Sequence, residues 1–378
     1  MALHYIIIFT METDKKLPLQ ALTGVRFLAA FLVVALHFAQ PKDPLIKAFV
    51  GHGFIGVTLF FVLSGFILSY TYSLAPGEMK GTASSFWSAR FSRIYPMYLI
   101  SLVLATPVVL YWSILPNPYL PALASLSLTQ AWLPFAMREW NPPGWSLSAE
   151  AFFYLLFPFA ITRISRLSCT RLLNFSALCW AASLTAPLVY VVNGSINLDF
   201  WMFNPLVRLP EFLLGVAVGV LWLKTRSQLI FPKYLAEISF IALIAVLCLP
   251  VHNAYLINGA CAPLMVAIIF GLAESRGILA RILSTRLFVL LGSASYSLYI
   301  LHWPLWYEAS FITRHLNLSL NSNHLFWLIS LIVLVPASCI CWKFIEEPMS
   351  RYLRRRLTRS IATKSTHLKD GLKTQEQL

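Results

Sequence analysis

Arg26 and His37 lie eleven residues apart inside one apolar stretch, LPLQALTGVRFLAAFLVVALHF. At about 100° per residue, eleven steps make three turns plus about 20°, which predicts both side chains on one helical face. Their Cα atoms would then be separated by about 16 Å along the axis. A fixed cation and a titratable imidazole are costly at bilayer depth and face a polar interior rather than lipid. The pair therefore marks either the wall of a functional cavity or a buried Arg and His satisfied by neighbouring helices.

Four further stretches carry polar groups. In SFWSARFSRIYPMYLI, Arg90 and Arg93 sit at i and i+3 and share a helix face, close enough to grip one phosphate with their planar forks. Plain cationic flanking of a membrane span is the alternative. In NPPGWSLSAEAFFYLLFP, two prolines and a glycine stop any earlier helix, Ser146 or Ser148 could cap the next, and Glu150 would fall in its first turns near the outer face. The helix dipole favours a carboxylate there, so a structural role is equally open. GSASYSLYILHWPLWYEAS holds His302 and Glu308; His302 follows Tyr299 by three residues and reads first as a packing histidine. In NPLVRLPEFLLGVAVGV, Arg208 and Glu211 lie at i and i+3, most economically explained as an intrahelical ion pair near the outer end of the sixth span.

The elements that must position these groups are apolar helices. The chain has 378 residues, is 58% hydrophobic and 12% charged, and has a mean hydropathy of +0.71. Those values exclude an ordinary soluble domain and imply an all-α, polytopic membrane protein. The apolar runs are long and continuous, not alternating over ten residues as in a β-barrel. Ten spans are expected near 17–38, 54–74, 94–113, 146–162, 172–192, 205–223, 234–251, 256–273, 287–311 and 324–345; the fourth and ninth contain Pro158 and Pro304. A short N-terminus, 1–16, precedes the membrane domain 17–345, and a basic tail, 346–378, follows and is expected to fray after Arg356. The first span is read as a retained anchor, because Arg and His do not suit a signal-peptide core. The outward segment 114–145, rich in Pro, Trp and Leu, reads as an interfacial loop with a short helix. Spaced glycines in GFIGVTLF and LLGVAVGVL suit helix packing.

Net charge is +14, yet its distribution speaks against nucleic acid. With the N-terminus inside, 23 of the 29 Lys and Arg fall on inward segments and four on outward loops. That asymmetry predicts both termini in the cytoplasm, and the basic tail becomes a topology determinant and anionic-lipid contact. The six cysteines lack CxxC spacing and read as small apolar residues. Zinc, P-loop and dinucleotide motifs are missing from the sequence.

Taken in order, R-x10-H (Arg26, His37), GVTLFFVLSGFILSY, R-x-x-R before IYP (Arg90, Arg93), WSLSAEAFFYLLFP, SYSLYILHWPL and FIEEP resemble the membrane acyltransferase-3 family over about residues 17–350. The resemblance implies ten helices, an inner-membrane location and transfer of an acyl group, most often acetyl, from cytoplasmic acyl-CoA to hydroxyls of envelope carbohydrates. Acyl-CoA is then a substrate, and no permanently bound cofactor is expected. The family's DGLRG-like first motif here reads LTGVRF, with Thr23 and Phe27, and the acceptor is expected to be served without the soluble hydrolase-like domain of some members.

Acyl transfer to a hydroxyl needs a base, a stabiliser for the thioester oxyanion and a grip on the donor. His37, whose ordinary pKa is near neutral, is the expected base. Arg26 would orient the pantetheine arm or thioester, Arg90 and Arg93 would hold the CoA phosphates, and Glu150 would orient His37. The expected partners are acyl-CoA, a carbohydrate or glycolipid acceptor and the lipid bilayer. A rival class, a multi-pass transporter, would use Arg26, His37 and Glu150 as a polar pathway but leaves R-x-x-R without a purpose.

Overall fold

The computed structural model describes residues 19–112, 118–193, 198–227, 231–250, 259–274, 276–317 and 324–357. The segment 1–16, with Lys15 and Lys16, the start of the first expected span, residues 113–117 of the outward loop and the tail from Thr358 onward lie outside them. The described residues are helical, without a strand.

In chain order, α1 is Gln20–Phe38, α2 Pro44–Gly51, α3 Ile55–Tyr72 and α4 Ala83–Trp112. After them, α5 Tyr119–Leu126 and two 3-10 turns lead into α6, Trp145–Ile164. Next come α7 Cys169–Ser183, α8 Thr185–Asn193, α9 Leu198–Phe203, α10 Pro205–Thr225, α11 Leu235–Leu247 and α12 Ala262–Ala273. The chain continues through α13 Ile278–Leu283, α14 Arg286–Ser293, α15 Ser295–His315 and α16 His324–Cys341. A π-helical turn, Trp342–Glu346, then carries the last helix on to Leu357.

Seven helices among the described residues are long and apolar enough to cross a membrane. Two of the remaining expected spans, α11 and α12, are apolar but only 13 and 12 residues long. The ninth departs from expectation: Ala294 breaks it, and α15 starts at Ser295 rather than in the 287 region. A close helix contact sits just before the break. Gly292 lies against the Thr23 backbone of α1, so close that a side chain there would collide. Pro158 and Pro304 do not interrupt α6 or α15; in a helix bundle, neighbouring groups take up the freed backbone polarity.

Local chemistry sets several starts. Asp43 accepts from the amides of Leu45 and Ile46 (2.9 and 3.0 Å) with Pro44 at the first helical position, and Asn204 accepts from Leu206 (2.9 Å) ahead of Pro205. The expected serine cap of α6 is absent. Ser146 bonds instead to the Pro143 carbonyl and the Tyr299 hydroxyl, and Ser148 to the Leu128 carbonyl. The described part of the segment expected as an interfacial loop is also anchored in the protein interior. Gln130 bonds to Tyr98 and the Gly144 carbonyl, and Asn141 to Ser101 and the Ile300 carbonyl, both almost fully buried.

Helix directions follow from matched contacts. Between α1 and α15, Phe38 stacks on Trp306 and His37 meets His302, while Thr23 meets Gly292 just before α15, so the two run parallel. Between α3 and α10, Thr58 meets Arg208, Val62 meets Gly215, and Phe66 meets Trp222: parallel again. Between α1 and α3 the order reverses, Ala29 meeting Gly56 and Leu32 meeting Gly53. Val103, Leu155, Ile241 and Ile332 are all more than half exposed, as side chains facing lipid would be.

Candidate active site

The parallel pairing of α1 with α15 places Arg26 and His37 on opposite levels of one seam. At the Arg26 level, α1, α3, α4, α6 and α15 enclose a cavity of about 140 Å³. Arg26, Arg90, Arg93 and Glu150 all line it, together with Ser64, Tyr154, Tyr296 and Tyr299. Four of the five expected site residues thus share one space, although they come from three helices.

The three arginines are held differently. Arg93 forms an ion pair with Glu346 at 2.5 Å, and Glu346 itself accepts from Ser297 at 2.6 Å. Glu346 is 1% exposed and is delivered by the π-helical turn, a rare local widening that recurs at functional sites. Arg90 lies over the rings of Tyr72, Phe86 and Tyr154 at 5.9–6.0 Å, and its buried Nε has no hydrogen-bond partner. Arg26 makes no hydrogen bond or ion pair within the described residues; Glu150 and Glu346 are the carboxylates in its electrostatic surroundings. Three guanidiniums facing two carboxylates leave the cavity with one excess positive charge, and Arg26 and Arg90 make no direct ion pair within the described residues. Such a space can hold a phosphate or polarise a carbonyl.

Glu150 does not meet His37, and this corrects the expected contact. Its Oε1 accepts from the Tyr154 hydroxyl one turn on and from Ser64 at 3.2 Å. The cause is helical register: Glu150 is the sixth residue of α6 and faces α3, while His37 lies at the far end of α1.

His37 is exposed and paired with His302, Nδ1 to Nε2 at 3.1 Å. Trp303 abuts its ring edge-on at 4.7 Å. Tyr299 lies between the two levels: its hydroxyl bonds to Ser146 at 2.8 Å beside the cavity, and its carbonyl touches His302 Nδ1 at 2.5 Å. The expected Arg208–Glu211 pair is present at 2.9 Å, with Arg208 also donating to Thr58. A larger space of about 420 Å³, lined by apolar side chains such as Leu32, Phe38, Phe240 and Met265, offers no group for chemistry.

Sequence reasoning did not place Ser64, Tyr154 or Tyr296 at the cavity. Tyr154 had a readable signal, its i+4 spacing from Glu150; Ser64 is a single hydroxyl in an apolar run, and Tyr296 is one hydroxyl among the serines of GSASYSLY, with nothing in the spacing to single it out.

The family described as acyltransferase domain, Acyl_transf_3, matches residues 19–343. Among curated proteins, the chain is 31% identical to acyltransferase MdmB of Streptomyces mycarofaciens over 229 residues, 54% of this chain and 57% of that one. It is 24% identical to O-acetyltransferase OatA of Staphylococcus aureus over 372 residues, 90% of this chain and 58% of that one. With the peptidoglycan O-acetyltransferase OatA of Listeria monocytogenes it shares 26% over 330 residues, 78% of this chain and 50% of that one. The chain therefore spans between half and three fifths of these relatives' lengths. No solved structure matches it. A family match across 19–343 with the motif residues gathered as described leads to one statement: this chain belongs to the membrane acyltransferase-3 family.

Proposed function

We propose that this chain is an integral membrane O-acyltransferase that moves an acyl group, acetyl in the first place, from cytoplasmic acyl-CoA to a hydroxyl of a carbohydrate-containing envelope molecule. The observation that carries this reading is the polar cavity, where Arg26 and Arg90 stand without carboxylate partners beside a paired Arg93. A donor with phosphates at one end and a thioester at the end of a long amide-bearing arm uses both free cations: Arg90 at the phosphates and Arg26 at a carbonyl of the pantetheine arm, which leads the thioester towards the His37 level. Arg93 is a support held by Glu346. Glu150 orders Tyr154 and offsets part of the local positive charge. His37, three turns along α1, takes the hydroxyl proton of the acceptor.

The reading includes ten spans in a bacterial inner membrane with both ends cytoplasmic. Helix directions support the parity: the first and ninth expected spans are parallel, the second and sixth are parallel, and the first and second are antiparallel. The excess of Lys and Arg on the segments beside Arg90 supports the orientation.

The test is thiol release from acetyl-CoA by the purified protein in vesicles, with muropeptide, O-antigen and exopolysaccharide fragments as acceptors. Acetyl ester on a fragment, formed in step with free thiol, is the expected result. Movement of a fragment across the bilayer without thiol release would instead identify a transporter and overturn the proposal.

A further inference from the structure

His302 is fully buried on α15, and both of its ring nitrogens are engaged. Nδ1 lies 2.5 Å from the Tyr299 carbonyl oxygen. A carbonyl can only accept, so Nδ1 carries the hydrogen. In a neutral imidazole the lone pair then sits on Nε2, which faces His37 Nδ1 at 3.1 Å. His37 must therefore donate from Nδ1, and its own lone pair is left on Nε2. The tautomer follows from the bonding network, beginning at one backbone oxygen. His37 is exposed, so that lone pair is open to an incoming group. Trp303 at 4.7 Å and His302 at 5.0 Å between centroids confine the ring on two sides.

A packing role alone would not need this arrangement. Leu or Phe would fill the same space without desolvating two ring nitrogens, a cost that only hydrogen bonds offset. From this chain of contacts we infer that His302 is a positioning residue that fixes the tautomer and ring angle of His37 for proton abstraction. The inference rests on His37 being the base of the proposed reaction.

The step balances. As the acceptor oxygen attacks the thioester carbonyl, its proton moves to His37 Nε2 and the C–S bond breaks. The proton then passes from Nε2 to the departing thiolate, giving the ester and free CoA. His302 neither gains nor loses a proton. It accepts a stronger, charge-assisted hydrogen bond from Nδ1 while His37 is an imidazolium. Groups that orient a reacting histidine through its second nitrogen typically change activity by 10–100-fold when removed.

The experiment compares His302→Leu and His302→Gln in the purified full chain. A glutamine can accept from His37 through its amide oxygen and donate to the Tyr299 carbonyl; leucine can do neither. Acetyl-CoA with a muropeptide probe should show kcat about 10–100-fold lower in His302→Leu with the donor KM unchanged, and substantial recovery in His302→Gln. A second readout needs no acyl transfer: carbethoxylation of His37 by diethyl pyrocarbonate, followed by mass spectrometry, should slow in His302→Leu and recover in His302→Gln. Wild-type kcat and an unchanged His37 labelling rate in a folded His302→Leu protein, or a folded His302→Gln protein as impaired as His302→Leu, would overturn the inference while the acyltransferase reading stands. Absence of thiol release by the wild-type protein, with the labelling difference intact, would instead overturn the reading of function and leave the His302–His37 coupling in place.

Discussion

Arg90 and Arg93 share a helix face, yet their neighbours give them different tasks. Arg93 is 30% exposed and neutralises a carboxylate that is 1% exposed. Removing it as Arg93→Gln strands Glu346 in a dry environment, at a cost of about 3 kcal/mol. Thermal unfolding in detergent should show a clear fall for Arg93→Gln and recovery of most of it in Arg93→Gln/Glu346→Gln. Retained stability together with a raised donor KM would show that Arg93 grips the donor itself. Arg90 has no carboxylate to release, so Arg90→Gln should raise the acetyl-CoA KM more than it lowers kcat. Arg90→Lys should recover only part, because an ammonium lacks the bidentate fork. At the other level of α1, His37→Ala should lower transfer by about 10²–10⁴-fold at matched expression. Near-wild-type acetylation by that variant would remove His37 from the role of base.

At the scale of helices, the crossing of α3 and α10 depends on missing side chains. Gly215 lies against the Val62 carbonyl and Gly65 against the Phe212 carbonyl, backbone to backbone. A side chain at either position meets main chain that has nowhere to go, as in other small-residue helix contacts. Gly215→Leu should therefore abolish recovery of folded protein, read by size exclusion in detergent. Gly51, at the end of α2, has open space around it, and Gly51→Ala should be tolerated, raising stability by up to about 1 kcal/mol. If both variants behave alike, the crossing does not limit folding. Much of this level was legible in the sequence, since hydropathy located the helices and the spaced glycines marked their contacts. The split at Ala294 was not, since hydropathy runs on through it, and neither was the approach of Gly292 to Thr23, a contact between residues far apart in the chain. The burial of Gln130 and Asn141 was hidden for the same reason: Asn141 reaches the Ile300 carbonyl, and composition carries no trace of that.

For the whole molecule, the cation asymmetry and the parity of helix directions lead to one expectation. A reporter fused after Leu378 should be active only on the cytoplasmic side, as should one placed before Met1. Activity of the C-terminal fusion only outside would require an odd number of spans and would move Arg90 away from a cytoplasmic donor. The candidate site was legible to the extent that single motifs carry it. Spacing placed Arg26, Arg90 and Arg93, and Glu150 was visible as a lone carboxylate in an apolar run. Their grouping in one cavity, the partnership of Glu346 with Arg93 and that of His302 with His37 were not legible, because each joins distant motifs whose separation is set by packing alone.

That last partnership spans 265 residues of sequence. At about 5–20 residues per second of synthesis, roughly 15–50 s pass between the emergence of His37 and that of His302 from the ribosome. Throughout that interval α1 resides in the membrane with its imidazole unpartnered and free to take either tautomer. A nascent chain released before α15 contains every arginine of the cavity but neither the α15 wall nor the partner that orders His37, so it would carry the donor-binding cations without the ordered base.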